Sequence, residues 1–148
     1  MSENAIERTA GLSCFTDPQD IKPLSGGITN VNLTVTDQGR KYVVRIGADI
    51  EEHGVMRWNE LALSQAAAKG GFYPEGVHHD DGVLVLEFLE AGTFGEEDVR
   101  KPENLHRIVA LIHDVHTQMG RYLIKPVMAF WPYQVNRTYI TRLLAAGS

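Results

Sequence analysis

The chain has 148 residues, 43% of them hydrophobic and 22% charged, with a formal net charge of −5. That is the size and balance of one soluble globular domain, and the acidic sum speaks against an extended nucleic-acid footprint, which is usually strongly basic. Cys14 is the single cysteine, so no disulfide framework or thiol metal cluster is expected; without an apolar leader or an apolar run of spanning length, the expectation is a cytoplasmic protein outside the membrane.

Residues 1–16 have scattered apolar positions and suggest a short irregular or helical lead-in that breaks at Asp17-Pro18. Next comes the stretch that organises the chain. Ser25-Gly26-Gly27-Ile28-Thr29-Asn30 is a small polar loop with two adjacent glycines, and it leads into a segment where Val31, Leu33 and Val35 alternate with polar residues. The turn Asp37-Gln38-Gly39-Arg40 reverses the chain into Tyr42-Val43-Val44-Arg45-Ile46, which is apolar except for Arg45. A cation inside a segment that otherwise wants burial needs an anionic partner. Glycines that let backbone N–H groups approach a ligand, beside a fixed cation, are what a polyphosphate requires.

Gly47 to Gly54 is an acidic loop, and Val55 to Lys69 predicts a helix stopped by Gly70-Gly71, with Met56, Leu63, Ala66 and Ala67 along one side and Glu60 near its middle. After the connector Tyr73-Pro74-Glu75-Gly76, a second hairpin follows: Val77-His78-His79, a turn at Asp80-Asp81-Gly82, and Val83 to Leu89, apolar enough to be central in a sheet. The order so far is two strands, a helix, two strands. Glu90-Ala91-Gly92-Thr93 ends the sheet pattern. From Pro102, Leu105, Ile108, Val109, Ile112, Val115 and Met119 recur at spacings of three and four, which predicts an amphipathic helix with one buried stripe. A loop holding Pro126 and Phe130-Trp131-Pro132 precedes a last helix from about Tyr133 to Ala146, with Val135, Tyr139, Ile140, Leu143 and Leu144.

Other chemistry-bearing residues have plainer readings. His113 and His116 could ligate a metal from one helix face, but no third ligand is near in sequence, so His116 is taken as a partly buried structural residue. His78 and His79 point to opposite strand faces. Cys14 lacks a partner base and should be inert. Trp58, Trp131, Tyr133 and Tyr139 are expected to be packing residues, because no basic run accompanies them. The acidic runs at Asp49-Ile50-Glu51-Glu52 and Glu96-Glu97-Asp98 are expected to be solvated or to start helices.

Several of these stretches, in this order, resemble the choline/ethanolamine kinase and aminoglycoside phosphotransferase family, whose fold is protein-kinase-like. Ser25 to Asn30 resembles its phosphate loop, and Tyr42 to Ile46 resembles its third strand, with Arg45 where protein kinases use lysine. Arg57-Trp58-Asn59-Glu60-Leu61-Ala62-Leu63 resembles the helix whose glutamate pairs with that cation. Leu86 to Gly92 is similar to the hinge that holds adenine, and Ile108 to His116 and Phe130 to Gly147 resemble the start of the large lobe. The resemblance spans Lys22 to Gly147.

It implies an α+β small lobe, an antiparallel sheet with one packed helix, followed by helices. Residues 1–21 would be a lead-in, 22–92 the nucleotide-binding lobe and 93–148 the start of a large lobe. ATP would be held by Ser25, Gly26, Gly27, Ile28, Thr29 and Asn30, by Arg45 fixed through Glu60, and by main-chain groups at Glu87, Phe88 and Leu89. The acceptor would be a small alcohol, choline or ethanolamine in preference to an aminoglycoside. The family's catalytic aspartate, its following asparagine and its metal-binding aspartate have no counterpart here, so no catalytic residue or Mg²⁺ ligand is assigned. His78-His79-Asp80 is rejected as the catalytic loop, since it precedes the hinge and Val85 stands where asparagine is required. The expectation is thus a kinase cut off after its nucleotide lobe and inactive alone, or a shortened relative acting as a binding or regulatory module. The faces of the two last helices would then be exposed and could support a homodimer.

Overall fold

The computed structural model describes residues 2–25 and 29–147. The chain runs α1 (Ser2–Ala10), β1 (Gln19–Pro23), β2 (Val31–Asp37), β3 (Arg40–Ile46), α2 (Arg57–Lys69), β4 (Gly76–Asp80), β5 (Val83–Glu87), α3 (Glu96–Arg100), α4 (Pro102–Gln118) and α5 (Pro132–Ala145). The five strands make one antiparallel sheet in the order β1-β2-β3-β5-β4.

Register follows from two tight turns. Asp37 pairs with Arg40, and Gln38 and Gly39 between them have φ of 49° and 76°, the two-residue loop whose twist matches that of a right-handed sheet. Counting back from it puts Asn32 opposite Arg45 and Thr34 opposite Val43. Asp80 pairs with Val83 across Asp81-Gly82, and β5 then lies between β3 and β4, with Leu84 opposite Arg45 and Leu86 opposite Val43. Gly82, at φ 64°, stands so near the end of β3 that a Cβ would lie 2.5 Å from the Gly47 carbonyl oxygen.

Alternation divides the sheet into two faces. Leu33, Val35, Val44, Val83 and Val85 form the core of one, closed by Ala5 and Leu12 from the N-terminal segment with Ile6, Cys14 and Phe15 around them. Residues taken from the sequence as a lead-in therefore build the core. Arg8 of α1 also donates to the Asp81 carbonyl in the β4–β5 turn, and the buried Asp37 carboxylate accepts the N–H groups of Thr16 at 3.0 Å and Asp17 at 2.7 Å. The second face carries Asn32, Thr34, Val43, Arg45, Leu84 and Leu86, and α2 covers part of it through the buried Ala66.

Several expectations change. An additional edge strand, β1, precedes the glycine loop; with Ile21 its one partly buried residue and a bulge in its pairing, it lacks the alternation that announces a strand. The helix after β3 begins at Arg57, not Val55, because Val55 bridges to Ile50 and Met56 is extended. The stripe on α4 is amphipathic but not buried: Leu105, Val109 and Ile112 are 45%, 62% and 48% exposed. His116 is exposed as well, and so are Trp58, Trp131 and Tyr133, which were expected to pack. Tyr139 does pack, its hydroxyl 2.9 Å from His53 Nδ1, and Met128 N–H donates to Asn59 Oδ1 at 2.8 Å; these contacts tie the last third of the chain to the loop before α2 and to its first turn. No helix is long and apolar enough to cross a membrane among the described residues.

Candidate functional site

Arg45 leaves the middle of the sheet on the α2 side, and Glu60 reaches it from the first turn of α2. The guanidinium Nη1 donates to Glu60 Oε1 at 2.8 Å, with the two side chains 30% and 21% exposed. Asn32, the cross-strand neighbour, accepts from Arg45 Nε at 3.3 Å. Burial on its own would lower the Arg45 pKa, but the hydrogen bond to Glu60 and the nearness of Tyr73 outweigh it and raise the value, so the cation stays charged at any physiological pH. The other Glu60 oxygen accepts from Arg57 Nη1 at 2.6 Å, and that same nitrogen donates to Asn30 Oδ1 at 2.9 Å. One carboxylate therefore holds two guanidinium groups beside the end of the glycine loop.

Of the loop residues, Ser25 and Thr29 are exposed, and Asn30 turns its side chain onto Arg57. Gly26, Gly27 and Ile28 lie outside the described residues. At the end of β5 the main-chain donors are partly committed: Glu87 N–H donates to the Glu75 carbonyl at 3.0 Å and Phe88 N–H to the Lys41 carbonyl at 3.2 Å. The Phe88 ring is covered by Lys41, whose Nζ stands 4.0 Å from the ring centroid. Leu89 N–H has no acceptor among the described residues, which makes it the available donor of the three. The ion pair and the hinge lie on the same strand register: Arg45 faces Leu84, and Glu87 is three residues further along β5, about 10 Å at the rise of a strand.

Cavities border this cluster on two sides, and one of about 630 Å³ is lined by Thr29, Val31, Gly47, Asp49 and Arg57. The space next to the ion pair, lined by Arg45, Arg57, Glu60 and Leu84, holds about 140 Å³. A larger one of about 370 Å³ lies between α2 and β4, closed by Tyr122 and Ile124, and none of its lining residues belongs to the loop, the ion pair or the hinge. The charged cluster borders the sheet face that carries Asn32, Thr34 and Val43, and that face is the candidate site. Among the described residues no three His, Cys, Asp or Glu side chains gather as a metal set.

Arg57 and Asn32 were not singled out from the sequence. Arg57 stands three residues before Glu60, the spacing at which helix side chains meet, and Asn32 is placed opposite Arg45 by the turn at Asp37 to Arg40; both signals were present.

An antiparallel sheet whose third strand carries a cation paired to a glutamate of the following helix is the small lobe of the protein-kinase-like fold. Among solved structures, the chain is similar to an ethanolamine kinase of Plasmodium vivax, with a TM-score of 0.61 at 16% identity over 89% of this chain. The match covers 34% of that kinase, so the chain spans about a third of its length. No family model matches the sequence, and no curated protein matches it significantly. The likeness shows the fold: an α+β kinase-like small lobe followed by helices.

Proposed function

We propose that this chain is the ATP-binding lobe of a small-molecule kinase, one that transfers the γ-phosphate of ATP to a hydroxyl of a choline- or ethanolamine-like alcohol. The observation that carries the reading is the Arg45–Glu60 ion pair on a kinase-like sheet. Phosphoryl transfer asks a protein chiefly for positioning and for neutralisation of charge. Arg45, held by Glu60 and Asn32, supplies a cation whose direction is fixed before the ligand arrives. The glycine loop supplies main-chain N–H groups to the phosphates. Leu89 N–H takes the adenine edge, with Val43 and Leu86 beneath the base.

Preference for an amino alcohol over an aminoglycoside is supported by the ethanolamine kinase likeness, and by the exposed pair Trp131 and Tyr133, whose ring centroids are 6.1 Å apart. Such faces suit a substituted ammonium group. The groups that would activate the acceptor hydroxyl and hold Mg²⁺ belong to parts of a kinase beyond those described, so the reading for this chain is nucleotide binding in a cytoplasmic setting.

Backbone amide chemical-shift mapping with ATP tests it. Shifts are expected at Thr29 to Asn32, Arg45 and Leu86 to Leu89. Shifts confined to the cavity between α2 and β4, or none in a folded chain, would overturn the assignment.

A further inference from the structure

Arg57 sits where three stretches of chain meet. Its guanidinium Nη1 donates to Asn30 Oδ1 at 2.9 Å and to Glu60 Oε2 at 2.6 Å, while its main-chain N–H donates to Asp49 Oδ1 at 2.6 Å. Asn30 is the last residue before β2, Asp49 lies in the loop leaving β3, and Glu60 is the carboxylate that holds Arg45. The Arg57 side chain is 17% exposed, so these hydrogen bonds are little screened by solvent. Gly47 closes the junction from outside. A Cβ there would collide with Asn30 Oδ1 and come within 3.0 Å of Arg57 Nη1, so any larger residue must push these side chains aside.

We propose that Arg57 is a positioning residue: it clamps Asn30, at the start of β2, to the helix turn that carries Glu60, so that Asn30 and Arg45 hold one fixed spacing. A main-chain segment tethered at Asn30 in this way has less freedom to lose when an anion binds beside it, and that lowers the cost of binding. The tether acts at the polyphosphate end and does not touch the hinge, so it distinguishes ATP from its nucleoside. This consequence for ligands rests on the nucleotide-binding reading; the clamp itself does not.

Two variants attack the junction from different sides: Arg57→Gln removes the guanidinium, and Gly47→Ala displaces Asn30 and Arg57 while removing no hydrogen-bonding group. In nucleotide-free protein, amide hydrogen exchange at Asn30 to Asn32 is expected to rise about tenfold in both variants, with Val83 to Leu86 in β5 changed by less than about twofold. Unchanged exchange at Asn30 to Asn32 overturns the clamp, as does an equal rise in β5, which would mean general loss of the sheet. In titrations with ATP and with adenosine, Arg57→Gln is expected to weaken ATP about tenfold and adenosine less than about twofold; equal losses overturn a role at the phosphate end. Should the wild-type chain bind neither molecule, the nucleotide reading falls together with the ligand consequence, and the exchange result decides the clamp by itself.

Discussion

Replacing Glu60 by alanine is expected to destabilise the chain by about 2–3 kcal/mol and to weaken ATP binding at least about tenfold. The stability loss is larger than that for a surface ion pair because the carboxylate, 21% exposed, faces Arg45 at 2.8 Å and Arg57 at 2.6 Å. Its removal leaves two like charges close together, each desolvated and without its counter-ion. The figure sits below the range for breaking a fully buried pair, since water still reaches part of each group. Glu60→Gln keeps an acceptor for one arginine and should lose roughly half as much. Urea denaturation of both variants, with the slope unchanged, checks the values. A loss under about 0.5 kcal/mol for Glu60→Ala would mean that the cluster is no more than an exposed charge contact.

The second large effect contrasts the two parts of the chain. Leu33 is wholly buried in the sheet core, and Leu33→Ala is expected to cost about 3 kcal/mol. Ile112 occupies the apolar stripe of α4 but is 48% exposed, and Ile112→Ala should cost less than about 1 kcal/mol. Unfolding followed at several protein concentrations completes the test, because a homodimer through α4 and α5 would make the Ile112→Ala loss grow with concentration. An Ile112→Ala loss equal to that of Leu33→Ala, at every concentration, would contradict this account of α4.

These contrasts mark what the sequence disclosed. The hairpins were legible because alternation and turn residues act over a few positions: Val31, Leu33 and Val35 set one face, and Gln38-Gly39 set the register. The residues themselves said only that the Arg45 cation in an apolar strand needs an anion; Glu60 as that partner was implied by the resemblance to the kinase-like family. Strand β1 was not, because an edge strand with Ile21 as its single apolar residue takes its structure from pairing with β2 and not from its own pattern. The α4 stripe was read correctly as amphipathic; from periodicity it was expected to be buried and from the truncated-lobe reading to be exposed, and it is exposed, since periodicity reports which side of a helix is apolar and not what covers it. Asp49, Gly47 and Asn30 converge on Arg57 only in three dimensions. None of the three is unusual as a loop residue.

The central claim is that a cation fixed by Glu60 binds the phosphates of ATP, and calorimetric titration of ATP into wild-type chain and into Arg45→Ala, with and without Mg²⁺, tests it most directly. Removal of Arg45 is expected to weaken binding at least about tenfold in a chain whose melting temperature shows that it is still folded. Equal ATP affinity in both proteins, or no binding by folded wild type, would contradict the claim and leave the kinase-like lobe without a nucleotide to explain its charged cluster.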